Sequence, residues 1–232
     1  VAGVLRADRP GVEPRGVRHR FSGRDDGDLC VELAPAELDV PRRRLAPYPW
    51  SWLRQVHGAE VVLVERPGGA SGAEADALVT AVPGAVLAVH TADCAGVVLS
   101  GRGPSGPVVA AAHAGWRGLL AGVLQRTVEA MQRMGVDHPT WRMGPCISPD
   151  HYEFGEEDLA RLVERFGERV RGRTRDGRPA LDLRAGVAAA LAEVGAVPLD
   201  AAPPCTSEPR YFSWRCRRDR GRQAALVWIE PS

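Results

Sequence analysis

Residues 85–116 read AVLAVHTADCAGVVLSGRGPSGPVVAAAHAGW. Three short apolar runs, at 85–90, 96–100 and 107–112, are set between turn-forming segments. Valine-rich runs of this length, bounded by Gly and Pro, predict buried strands. Working outward, 51–56 and 60–65 upstream and 224–229 near the end read the same way, and 17–21 is a further candidate strand. Residues 68–72, Gly-Gly-Ala-Ser-Gly, predict a flexible loop. Three helices are predicted between these strands. The first, 117–134, carries Leu120, Val123, Leu124, Thr127, Val128 and Met131 at helical spacing. The second, 156–166, places Leu159, Leu162, Val163 and Phe166 on one face, and the third, 182–194, does so with Val187, Leu191 and Val194. Gly135, Gly167 and Gly195 stand just past the three ends, where a left-handed cap is needed. A short helix is predicted to open at Pro41, and Arg42, Arg43 and Arg44 behind it read as a solvated face, with a phosphate contact from one of them as the alternative. With no internal repeat and no linker, the expectation is one α+β domain over 1–232, weakly patterned over 1–47.

Composition narrows the function. Hydrophobic residues are 44% and charged residues 25% of 232, with a formal net charge of +1, as in a globular protein with a sizeable core. Near-neutral charge predicts no nucleic-acid partner. All 30 basic residues are arginine; with no lysine, Schiff-base chemistry is excluded. Five cysteines without a CxxC pair argue against a disulfide framework and for a reducing, cytoplasmic setting. Residues 1–8 lack the order of a signal peptide, and no apolar run reaches membrane-spanning length, so no membrane partner is expected.

His57, Cys94 and His113 each stand beside turn residues or a strand-like run. Two imidazoles and a thiolate suit Zn²⁺ or Cu, and three protein ligands leave a fourth position for water or substrate, as in a catalytic site. The separations, 37 and 19 residues, match no local zinc motif, so the three must converge from distant strand ends. The same residues also fit a Cys94 nucleophile with His113 or His57 as base and Asp93 orienting the imidazole. A tightly metal-bound thiolate is a poor free nucleophile, so the two readings are true alternatives. His90, inside its run, reads as a core residue or as a neighbour of the site.

Several segments occurring in order carry a resemblance: Gln55-Val56-His57-Gly58, Ala75-Asp76-Ala77-Leu78-Val79-Thr80, Thr91-Ala92-Asp93-Cys94, His113-Ala114-Gly115-Trp116-Arg117-Gly118, Gly144-Pro145-Cys146-Ile147, Tyr152-Glu153-Phe154-Gly155, Cys205-Thr206, Phe212-Ser213-Trp214-Arg215 and Gly221-Arg222. Together they resemble the family called multicopper polyphenol oxidase or laccase-domain proteins, whose bacterial members are also called YfiH-type. The resemblance implies a single domain of mixed β-sheets flanked by helices, a metal set of His57, Cys94 and His113, and phosphorolysis of adenosine, inosine, guanosine or methylthioadenosine, with adenosine deamination at the same site. Purine nucleoside and phosphate are then the partners, with the chain acting as a monomer. One Cys-His-His set does not hold the several coppers that a laccase needs. For these reactions Asp93 is the candidate proton relay, and Arg24 and Arg117 are the candidates for phosphate, with a helix-start residue bonded to carbonyls as the alternative for Arg117; Gln55 is a candidate to orient His57 or touch the purine, with a core role as the alternative. Trp116 is a candidate for stacking on the base, with a core role as the alternative. The segment 1–50 departs from the family: Phe21-Ser22-Gly23-Arg24-Asp25-Asp26-Gly27 stands where a Gly-Gly and Ser turn is usual, and the chain has no Asn. A second enzyme reading is a Cys-His amidohydrolase acting on peptidoglycan precursors in an editing role. A third is a metal or nucleotide binding module without turnover.

Overall fold

The computed structural model describes residues 12–231; the opening residues 1–8, read above for a signal peptide, lie outside them. The strands and helices run β1 (Val17–Phe21), α1 (Pro35–Leu45), β2 (Trp50–Arg54), β3 (Val61–Leu63), β4 (Ala73–Glu74), β5 (Ala77–Thr80), β6 (Val86–Thr91), β7 (Ala95–Gly103), β8 (Gly106–Ala114), α2 (Trp116–Ala121), α3 (Val123–Arg133) and β9 (Thr140–Met143). The second part adds α4 (Glu156–Phe166), β10 (Arg171–Arg173), β11 (Pro179–Leu181), α5 (Leu183–Glu193), β12 (Val197–Pro198), α6 (Trp214–Arg217) and β13 (Gln223–Ile229).

Two mixed sheets result. One is ordered β1-β13-β6-β2-β4 and the other β12-β9-β7-β8-β5-β3, with β10 and β11 as a separate ribbon. Their packing explains the apolar runs. Along β8, Val109 and Ala111 face the other sheet, joining Leu87, Val89, Ala225 and Val227. Val108, Ala110 and Ala112 face the opposite way, against Leu119, Val128, Leu162 and Leu191 from α2, α3, α4 and α5. A strand covered on both faces has no solvent side to keep polar, so alternation vanishes from its sequence. The outer face of the first sheet, with Val86, Ala88, Leu226 and Trp228, is covered by Leu29 and by Leu45 of α1. The expected architecture, an α+β domain of mixed sheets flanked by helices, is therefore the one observed. Among the described residues no helix is long and apolar enough to cross a membrane.

The helix faces follow the predicted spacing. Gly135, Gly167 and Gly195 all take positive φ, at 83°, 83° and 71°. The long helix predicted over 117–134 is two helices, because Gly122 takes φ 83° and ends α2 before α3 begins. The apolar period continues across this break, so periodicity alone did not reveal it. The helix expected to open at Pro41 opens at Pro35, where Glu37 caps the Ala34 N–H, and Pro41 lies inside it. β5, β9 and the short strands β4, β10, β11 and β12 were not among the predicted runs.

Close sheet packing sets a limit at Gly96 of β7, where a Cβ would lie 2.7 Å from the Ala225 Cβ of the facing sheet. Gly96→Ala is expected to cost about 1–3 kcal/mol by overpacking, measured by urea denaturation. An unchanged midpoint would show that the sheets are not in this contact.

Candidate metal centre and active site

The site is built around one carboxylate. Asp76 precedes β5 and is fully buried. It accepts hydrogen bonds from three successive backbone N–H groups, those of Val56 (3.2 Å), His57 (3.0 Å) and Gly58 (2.7 Å). To offer them, the chain bends sharply and His57 takes φ 60°, an uncommon value for a residue with a Cβ. The His113 Nδ1–H donates to the same carboxylate at 2.8 Å, and the His113 backbone N–H donates to the Asp76 carbonyl at 2.7 Å. One acid thus orients both histidine segments and, by engaging His113 through Nδ1, turns its Nε2 toward Cys94.

Cys94 enters from the turn between β6 and β7. Its Sγ lies 3.9 Å from His57 Nε2, and the candidate ligand atoms of His57, Cys94 and His113 lie within 4.8 Å of one another. The two imidazoles meet edge to face, centroids 4.8 Å apart. Gly115 makes room for this, since a Cβ there would lie 2.9 Å from the His57 ring and 3.1 Å from the Cys94 sulfur. Electrostatics match the contacts. Burial opposes ionisation of Cys94, but the His113 and His57 imidazoles outweigh it and pull the thiol down to about 6. Burial likewise opposes charge on His113, yet Cys94 and Asp76 raise it to about 9. Burial also disfavours the Asp76 carboxylate, and the His113 and backbone hydrogen bonds overcome it, holding its pKa below the ordinary value.

The turn residue Asp93 takes φ 113°, strain of order 1–3 kcal/mol that its surroundings must offset. Its carboxylate accepts from the Thr206 hydroxyl (2.7 Å), the Ser213 hydroxyl (2.6 Å) and the Arg215 N–H (2.6 Å). Burial nevertheless pushes the carboxyl above its usual value. Asp93 thereby ties the tail of the chain to the Cys94 turn. Gln55 plays the part of a strand neighbour: its amide accepts from the His90 N–H at 2.7 Å and donates to the His90 carbonyl at 2.8 Å, extending the pairing of β2 with β6.

His57, Cys94, His113, Asp93, Gln55 and Arg117 all line one cavity of about 900 Å³, a volume suited to a small organic ligand. Arg117 is exposed and lies over the Trp116 ring at 4.2 Å. Arg24 is elsewhere: it pairs with Asp219, donates to the Tyr211 carbonyl at 3.0 Å and stacks on Phe212, and it is not among the lining residues. Sequence reading did not single out Asp76 as a site residue, although a lone acid inside the apolar stretch 75–79 is a signal that something must partner it. It also missed Tyr152, whose ring lies 4.9 Å from the Arg215 guanidinium at the cavity wall.

The chain belongs to the family described as multi-copper polyphenol oxidoreductase laccase, whose sequence model matches residues 33–230. Among its relatives, a purine nucleoside phosphorylase of Streptomyces coelicolor is 41% identical over 214 residues, spanning 90% of this chain and 85% of the relative. A protein of the same name in Mycobacterium tuberculosis is 39% identical over 198 residues, spanning 84% and 76%. Among solved structures, a Neisseria meningitidis protein of family DUF152 superposes with a TM-score of 0.79 at 29% identity, covering 97% of this chain and 98% of that one. YlmD from Geobacillus stearothermophilus gives 0.78 at 26% identity, covering 94% and 93%.

Two outcomes are expected of the site. Asp76→Asn should weaken zinc binding about 10–100-fold, read by competition with a chromogenic chelator; unchanged affinity would remove Asp76 from its role. In metal-stripped protein, alkylation of Cys94, followed residue by residue by mass spectrometry, should be half-maximal near pH 6 and stay on its plateau at higher pH. A half-maximum near the ordinary thiol value of about 8.5 would show that the imidazoles do not stabilise the thiolate.

Proposed function

We propose that the chain cleaves purine nucleosides with inorganic phosphate in this cavity. The observation that carries the reading is the His57, Cys94 and His113 cluster inside a cavity lined by arginines. The name shared by the bacterial relatives supports it.

The cluster fits a metal. A soft sulfur and two imidazoles suit Zn²⁺, with copper as the alternative, and the Asp76 bond leaves the ligating nitrogen of His113 unprotonated when a metal is held. A bound ion would supply a Lewis acid and positive charge beside the reacting groups.

The protein's own groups supply the rest. In phosphorolysis a phosphate oxygen forms a bond to the anomeric carbon of ribose while the carbon–nitrogen bond to the purine breaks. The bonding electron pair leaves with the base, which then needs a proton. Arg117 and Arg215 hold the phosphate dianion. Trp116 and Tyr152 present aromatic faces and edges to the purine. Burial pushes the Tyr152 phenol well above its ordinary pKa, so its Oη stays protonated and donates a hydrogen bond to the negative charge building on the departing purine, which takes its proton from water. Asp93 acts as a positioning residue, its oxygens occupied by the tail, and Gln55 positions β6. Deamination of adenosine uses the same cavity: a water oxygen adds to the ring carbon bearing the amine, and ammonia leaves.

Purified, zinc-loaded protein is expected to convert adenosine and phosphate to adenine and ribose 1-phosphate, and Cys94→Ala should lower kcat/KM by at least about 100-fold. Full activity in that variant would sink the proposal. The low thiol pKa of Cys94 and its 3.9 Å contact with His57 favour one second reading, a Cys-His amidohydrolase acting on peptidoglycan precursors. Chelation separates the two. Loss of phosphorolysis on metal removal and its return with zinc supports the first; amide hydrolysis that survives chelation and is abolished by alkylating Cys94 supports the second.

A further inference from the structure

Arginine is not evenly placed in this chain. Overall, 30 arginines face 29 acids, but six arginines line the cavity against two acids, Glu32 and Asp93. Asp93 is already committed to the Thr206, Ser213 and Arg215 donors.

The excess comes from one segment. Residues 213–223, SWRCRRDRGRQ, carry five arginines and a single acid, Asp219. Asp219 turns into the protein, accepting from the Ser213 N–H at 2.9 Å and from Arg217 Nε at 3.0 Å, and pairing with Arg24. Arg217 turns in beside it and donates to the carbonyls of Ser207 and Thr206. This anchorage leaves the flanking residues, Arg218 and Arg220, on the cavity side, where both are exposed. Arg218 is held with φ 57°, closing α6, and its guanidinium lies over the Trp214 ring at 5.3 Å. A guanidinium on a ring face keeps its N–H edges free for a ligand.

Among the described residues, neither Arg218 nor Arg220 has a carboxylate partner. Of the other lining arginines, Arg54 pairs with Glu74 and Arg222 donates to nearby carbonyls, while Arg117 and Arg215, stacked on Trp116 and Tyr152, are those proposed above to hold inorganic phosphate. Uncompensated cations gathered at one concave mouth repel each other, and an anion relieves that cost.

Resting on the phosphorolysis reading, we propose that the preferred substrate is a purine nucleoside that carries its own phosphoryl group, a nucleoside monophosphate. Arg218 and Arg220 hold the substrate's phosphoryl dianion. This subsite is additional to the one for the attacking inorganic phosphate.

The test is calorimetric titration of zinc-loaded protein with adenosine, adenosine 5′-monophosphate and inorganic phosphate, for the wild type and for the double variant Arg218→Gln, Arg220→Gln. The wild type should bind the monophosphate at least about tenfold more tightly than adenosine, with an advantage that shrinks as salt rises. The double variant should lose that advantage while its affinity for adenosine stays unchanged. Equal affinities for the two ligands in the wild type would overturn the subsite. So would a double variant that keeps the advantage, or one that loses inorganic phosphate binding instead. Turnover separates the two proposals. Phosphorolysis of adenosine without a monophosphate advantage leaves the reaction standing and removes the subsite; a monophosphate advantage lost in the variant, with no phosphorolysis of any purine nucleoside, does the reverse.

Discussion

A carboxylate with no access to water sits between the two histidine-bearing segments. Asp76 cannot stay charged there without donors, and it has four: three consecutive amides from the turn at 56–58 and the His113 imidazole. Removing any of these leaves part of a buried charge unpaired, a penalty of several kcal/mol for a group of this kind. Maintaining that arrangement forces His57 into its uncommon backbone shape and turns His113 Nε2 toward Cys94. The geometry of the candidate ligand set is thus a by-product of satisfying one acid.

The rest of the fold supplies the third candidate ligand and the container. β6 and β7 belong to different sheets, so the chain between them must cross from one layer to the other in a few residues. Cys94 lies in that crossing, and Asp93 holds it by gripping the tail at Thr206, Ser213 and Arg215. The tail in turn brings its arginines over the cavity. The His57, Cys94 and His113 cluster, the cavity wall and the cationic mouth are therefore mechanically joined through two carboxylates, neither of which needs to touch a substrate.

Much of this was legible in the sequence, and the limits have physical causes. The buried strands showed as unbroken apolar runs because both of their faces are covered, and α4 and α5 showed through spacing and terminal glycines. The break at Gly122 did not show, since a glycine between two helical turns leaves the apolar stripe intact. Strands β9 and β12 are short and carry Trp, Arg and Pro, so nothing in their pattern distinguished them from loops. His57, Cys94 and His113 stood out because their side chains bind metals, but their convergence depends on strand order, which no spacing encodes. Arg24 matched a motif position, yet it is spent on Asp219, the acid that shapes the tail. Asp76 was quoted as part of a motif without its role, because a carboxylate's importance lies in the donors around it, and those come from elsewhere in the chain.

X-ray absorption at the zinc edge of the metal-loaded protein tests the central claim most directly. A single sulfur at about 2.3 Å and two imidazole nitrogens at about 2.0–2.1 Å is the expected shell, with the sulfur lost in Cys94→Ala. A shell without sulfur, or one unchanged by that substitution, would mean that His57, Cys94 and His113 are not a metal centre.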